Sequence, residues 1–156
     1  QYQVSGELYE EERELVGELF EKLSRGSGAA IDISDCPDLG PVLFALAAVY
    51  GGCFCGTHRL RIKESDRCAA MAAELAKLGV KCEIGDDTMK VYKTALRTPT
   101  EPIDSHNDHR IVMAMSILLS KVGGEIENAQ AVAKSMPDFF DKIKQLGIGV
   151  ECIEDK

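Results

Sequence analysis

Tryptophan is absent from the 156 residues, and Phe, Trp and Tyr together make up only 6% of them. A platform for stacking nucleic-acid bases is therefore not expected. Positive charge is also short, with 18 Lys and Arg against 26 Asp and Glu, a net charge of -8 and a pI near 4.9. Phosphate-backbone binding needs a basic face, so a nucleic-acid partner is excluded as the expectation, and any anionic ligand must be held by a few local cations. No stretch approaches the roughly 18 to 20 apolar residues of a membrane span, and no basic start precedes an apolar run and a small-residue cleavage site. A cytoplasmic protein without a membrane partner is expected. Cys-x-x-Cys and His-Glu-x-x-His spacings are missing too, which leaves no metal site to expect.

What is present suits a packed globule. The hydrophobic share is 45%, and the length allows one ordinary domain with its own core. The six cysteines, Cys36, Cys53, Cys55, Cys68, Cys82 and Cys152, lie within apolar helix and strand patterns. They read as reduced, mostly buried thiols rather than a disulfide framework.

Leu15, Leu19 and Leu23 recur at helical spacing in the first 25 residues, and Arg25-Gly26-Ser27-Gly28 breaks that pattern. A short strand over 30–33 leads into Asp35-Cys36-Pro37-Asp38, a helix start, and the helix runs to about Tyr50 before Gly51-Gly52. A strand is expected over 53–62, a helix from about Ser65 to Leu78 with Gly79 closing it, and a hairpin of strands 80–84 and 89–92. Pro99 and Pro102 mark a loop before a helix opened by Asp108, with Ile111, Met115, Leu118 and Leu119 on one side. Gly123-Gly124 follows Gly51-Gly52 by about 72 residues, and Leu146-Gly147 follows Leu78-Gly79 by about 68, each Leu-Gly leading toward a strand. Two copies of a β-α-β-α-β-β unit are inferred, 29–97 and 98–156, after a segment 1–28 that fits neither.

The polar clusters fall where a strand or loop passes into a helix. In Arg59-Leu60-Arg61-Ile62-Lys63-Glu64-Ser65-Asp66-Arg67, strand alternation would send Arg59, Arg61 and Lys63 to one face, with Glu64 and Arg67 at the helix start. A solvated charged face is the plain alternative, but a cation in the first helical turn opposes the helix dipole unless an anion shares the site. His106-Asn107-Asp108-His109-Arg110 repeats the arrangement, with Asp108 as a cap and Arg110 as a cation lacking a local reason. Lys134, before Ser135-Met136-Pro137-Asp138, and Asp38 would pass singly for a surface lysine and a helix-start acid.

Taken together, these segments resemble the enolpyruvyl transferases of the 5-enolpyruvylshikimate-3-phosphate synthase type. The resemblance rests on Asp35-Cys36-Pro37-Asp38, Arg61-Ile62-Lys63-Glu64-Ser65-Asp66-Arg67, Asn107-Asp108-His109-Arg110 and Lys134-Ser135-Met136-Pro137-Asp138-Phe139-Phe140, in that family's order. It implies an α/β fold made of the last two units of a six-unit, two-domain enzyme. It also implies transfer of the enolpyruvyl group of phosphoenolpyruvate to the 5-hydroxyl of shikimate 3-phosphate, without metal or organic cofactor. Asp38 and Glu64 would handle protons, Asp38, Lys63 and more weakly Arg59 would meet shikimate 3-phosphate, and Arg67, Arg110 and Lys134 would bind phosphoenolpyruvate. The UDP-N-acetylglucosamine enolpyruvyl transferases share the architecture and the donor, and a non-catalytic α/β binding module is a further alternative. Because the chain begins at Gln1 and the implied N-terminal domain is missing, an excised or truncated domain, inactive alone, is expected.

Overall fold

The computed structural model describes residues 14, 17–26 and 28–154. Residues 17–24 form helix α1, whose Leu19 and Leu23 are buried, while Leu15 lies outside the described residues. The chain then runs β1 (Ile31–Asp32), α2 (Gly40–Tyr50), β2 (Gly52–Cys55), α3 (Arg67–Lys77), β3 (Cys82–Ile84) and β4 (Thr88–Val91). After a loop come β5 (Ile103–Asp104), α4 (His109–Val122), β6 (Ile126–Glu127) and α5 (Phe139–Gln145).

α2 reads GPVLFALAAVY, apolar on every side, and such a helix belongs in the interior. Gly40, Pro41, Leu43, Phe44, Ala45, Ala47 and Ala48 are all buried. Pro41 costs no hydrogen bond in the first turn, where its missing N–H would have no partner. β1, β2, β4 and β3 lie side by side in that order, β1 parallel to β2 and the other neighbours antiparallel. In β4 the pleat turns Met89 and Val91 inward and leaves Thr88 and Lys90 exposed. Phe54 of β2 stands opposite Met89 and packs edge-on against Phe44 of α2 at 5.1 Å between ring centroids. α4 and α3 cover the remaining sides of α2.

From β1 through β2 and from β5 through β6 the backbone pairing repeats at a spacing of 72 residues, the same separation as Asp38 and Arg110. Ile31 is paired with Phe54 and Asp32 with Cys55; Ile103 is paired with Ile126 and Asp104 with Glu127. Ile33 donates to the Cys55 carbonyl as Ser105 does to that of Glu127, and Cys36 donates to Ile33 as Asp108 does to Ser105. The Asp32 carboxylate accepts from Ser34 N–H, and Asp104 accepts from His106 N–H. Gly51 and Gly123 end α2 and α4 with matching positive φ of 78° and 75°. Leu78-Gly79-Val80 and Leu146-Gly147-Ile148, about 68 residues apart, then close α3 and α5 with the same pattern of returning bonds.

The mixed α/β fold is the one the residue patterns imply, with four local departures. The expected strand over 53–62 stops at Cys55, and His58–Ile62 form a 3-10 turn. Gly56, at φ 72°, turns the chain away, and Asp87 accepts from the N–H groups of Gly56 and His58 to hold the turn. Strand alternation therefore cannot place Arg59, Arg61 and Lys63. Pro37–Leu39 are 3-10, so α2 begins at Gly40, and the residue matching Asp108 in the repeat is Cys36 rather than Asp38. No strand follows Leu146-Gly147 among residues 148–154. The cysteines are all free, but Cys68 alone is fully buried and Cys152 is exposed. Burial pushes the Cys68 and Cys82 thiols up to about 11.

Candidate active site

Helix α3 starts where two acidic elements meet it. Asp66 caps it by accepting from Ala69 N–H, which aims the first residue, Arg67, inward toward the starts of α2 and α4. Arg67 is 1% exposed, and its guanidinium is a hub. Nε donates to Asp108 Oδ2 at 2.8 Å, Nη2 to Asp108 Oδ1 at 3.3 Å and to Glu64 Oε2 at 2.6 Å, and Nη1 to Asp38 Oδ1 at 2.9 Å. The planar fork suits this use, since it meets Asp108 through two donors and still reaches two other carboxylates.

Asp108 does three things at once. It caps α4 by accepting from Arg110 N–H at 2.9 Å, takes the Ser65 hydroxyl at 2.9 Å, and neutralises Arg67 in the interior. Burial alone would push its carboxyl up, but Arg67, Ser65 and the Arg110 amide outweigh that and hold it below the usual carboxylate range. Sequence reasoning gives Asp108 the cap and misses the ion pair, because nothing in spacing joins residues on two different units.

Around this buried pair lies an open ring of charge. Asp38 is half-exposed and faces Arg67, Lys63 Nζ at 3.4 Å and Arg110 Nη2 at 3.6 Å. Burial opposes its ionisation, yet Arg110, Arg67 and Lys63 together hold its carboxyl low. Arg110 also donates from Nη1 to the Asp38 carbonyl at 3.3 Å, and its buried Nε has no partner among the described residues. Asp38 and Arg110 are the same position in the two repeats, so the pseudo-symmetry itself sets an acid opposite a base. His109 Nδ1 is likewise buried and unpaired, and desolvation lowers the pKa of that ring.

Five of the seven expected site residues thus converge: Asp38, Lys63, Glu64, Arg67 and Arg110. Lys134 joins them indirectly, donating at 2.5 Å to the carbonyl of Asn107, the residue before Asp108. Arg59 does not join; it is exposed on the 3-10 turn and makes none of the hydrogen bonds found among the described residues. Arg67 is not the free cation that a helix-start position suggests, being already held by three carboxylates. A residue with no sequence signal, Glu74, is buried beneath the loop before Asp108.

The model of the EPSP synthase (3-phosphoshikimate 1-carboxyvinyltransferase) family matches residues 7–143, most of the chain. The chain belongs to the EPSP synthase family. It is 42% identical over 119 residues to the 3-phosphoshikimate 1-carboxyvinyltransferase of Syntrophobacter fumaroxidans, covering 74% of this chain and 28% of that protein. It is 43% identical over 131 residues to that of Clostridium acetobutylicum, covering 81% and 30%. A solved EPSP synthase from Acinetobacter baumannii superposes with a TM-score of 0.65 at 31% identity, over 72% of this chain and 27% of the other. The chain therefore spans under a third of the length of these relatives. Among the described residues no helix is long and apolar enough to cross a membrane.

Proposed function

We propose that this chain supplies one wall of the active site of an enzyme that transfers the enolpyruvyl group of phosphoenolpyruvate to shikimate 3-phosphate. The observation that carries the reading is the convergence of Asp38, Lys63, Glu64 and Arg110 on the buried Arg67–Asp108 pair, in a family whose relatives bear that activity in their names. In this reading units 29–97 and 98–156 form the wall, and the N-terminal domain of such an enzyme supplies the facing one.

The reaction adds the acceptor hydroxyl across the enol double bond and then eliminates phosphate. A proton must leave the 5-hydroxyl oxygen as it bonds to the central carbon of phosphoenolpyruvate, and another must reach the methylene carbon. Asp38, kept ionised by its cationic neighbours, serves as the acceptor of the hydroxyl proton. Glu64 serves as the donor to the methylene and takes a proton back from the resulting methyl as phosphate departs, while Asp38 returns its proton to the leaving phosphate oxygen. Lys63, bound to Asp38, meets the charged acceptor. Arg110, with a spare Nε–H, and Lys134 meet the phosphate and carboxylate of phosphoenolpyruvate. Arg67 reaches that anion by exchanging its Glu64 contact, which would release Glu64 for proton transfer at the moment the donor binds.

The test combines the chain with a separately produced N-terminal domain of a relative, using phosphoenolpyruvate with either shikimate 3-phosphate or UDP-N-acetylglucosamine. The chain alone should bind phosphoenolpyruvate at about 1 mM or weaker, because the open site leaves the cations hydrated. It should release no phosphate above background. The pair should release phosphate with shikimate 3-phosphate only, and Asp38→Asn or Glu64→Gln should abolish it. Turnover indifferent to both substitutions, or a preference for the UDP-sugar, would overturn the assignment.

A further inference from the structure

Glu74 lies on α3 two turns after Arg67 and on the same face, so one stripe of this helix touches the second unit at two places. It is 2% exposed, and a carboxylate that deep needs partners for each oxygen. Oε2 accepts from the Asp104 N–H at 3.0 Å and from Lys77 Nζ at 2.8 Å, while Oε1 meets His106 Nε2 at 2.8 Å. Both loop partners precede Asp108. The loop they belong to is strained, since His106 and Asn107 stand at φ 50° and 54°, a left-handed region that non-glycine residues rarely occupy in succession. Such a pair persists only where surroundings over-determine it. Here the Asp104 carboxylate and the Ser105 hydroxyl accept from the His106 and Asn107 amides, and Glu74 fixes the backbone and the imidazole from outside.

We propose that Glu74 is a positioning residue for the anion-binding cations. The Asn107 carbonyl exposed by this left-handed turn is the group that Lys134 binds, and the turn delivers Asp108 to Arg67 and Arg110 to Asp38. Loss of Glu74 would let the turn relax and move Lys134 and Arg110 apart. In the first unit Ser34 and Asp35, at the positions of His106 and Asn107, keep φ negative, and no buried carboxylate has to hold them. The inference rests on the phosphoenolpyruvate reading for its ligand, but the clamp itself is a claim about this chain.

Amide hydrogen exchange and phosphoenolpyruvate titration by NMR on the 156-residue chain separate the two. Glu74→Met should speed exchange at the Asp104 and His106 amides and weaken phosphoenolpyruvate binding by about tenfold, the size expected of a supporting contact. Glu74→Gln, which can still accept from Asp104 and donate to His106, should restore most of the affinity and keeps the claim testable if Glu74→Met fails to fold. Val91→Ala, a core change in β4 far along the chain from the loop, should lower stability without either effect. Should Glu74→Met and Val91→Ala weaken binding alike, or Glu74→Met leave both readouts unchanged, the positioning role is wrong. No saturable phosphoenolpyruvate response in the unaltered chain would overturn the ligand reading, while faster loop exchange in Glu74→Met would still uphold the clamp.

Discussion

The two units of this chain share one backbone pattern and differ in how much core they own. The first wraps a four-stranded sheet around α2, with Phe44, Phe54, Met71, Leu75 and Met89 fully buried. The second has a two-stranded sheet, and its separate cluster of Val112, Ala131 and Val132 with Met113, Phe139 and Phe140 is small. α4 packs mostly into the first unit's core. Matching strand registers and helix endings can thus be specified locally, while the stability of one unit is borrowed from the other. The site lies on the seam because that is where each unit's helix starts face the other.

The largest effect should come from cutting the seam. Arg67→Met leaves Asp108 buried without its countercharge, and removal of one partner of a buried pair costs about 3 to 5 kcal/mol. Chemical denaturation should show this loss, with α4 amides exchanging before those of β2 and β4. Equal loss of protection in both units would mean that they unfold as one, and that the second borrows nothing through Arg67.

A smaller effect tests the repeat at one matched position. Gly56 and Asn128 follow β2 and β6 at the same point, both with positive φ, 72° and 54°. A Cβ at Gly56 would come within 2.6 Å of Asp32 Oδ1 and of Ser34 N, whereas position 128 already carries a side chain. Gly56→Asn should cost about 2 to 3 kcal/mol through overpacking and strain. Asn128→Gly should stay within about 1 kcal/mol, as glycine takes that backbone readily. Thermal melts of the two variants give the comparison directly, and similar losses would show that the first unit's tight turn is no tighter than the second's.

Most of the helices were legible from glycine endings, apolar spacing and acidic starts, because those signals act within a few residues. Residues 59–62 depart from the expected strand for the opposite reason: the turn that leads into them is held by Asp87, on the far hairpin, and no local pattern carries that contact. The site shows the same division. Asp38, Lys63, Glu64, Arg67 and Arg110 could be picked out by charge at helix starts and by resemblance. That Arg67 is spent on Asp108, that Asp38 and Arg110 face each other as repeat partners, and that Glu74 holds the loop depend on how two units dock. Arg59 shows the cost of reading alternation across a glycine that ends the strand.

The smallest effect should be a pH dependence that enters through the second unit. The first unit has Pro37 where the second has His109, so only one of the matched helix starts carries an imidazole. His109 is buried with Nδ1 unpaired, and desolvation lowers its pKa from 6.5 despite the attraction of Asp108. An unfolded chain then takes up a proton near pH 6.5 that the folded chain refuses until a lower pH. Stability is full above 6.5 and falls as pH drops through that window. Asp38 and Asp108, both held low, lose their contribution only below the ordinary carboxylate value of 3.8. Melting temperature should therefore decline in two stages on acidification, the first setting in below pH 6.5 and accompanied by faster exchange at the start of α4. His109→Gln should flatten that first stage and leave the second. A first stage that survives the substitution would assign it to another group and remove the difference between the two helix starts.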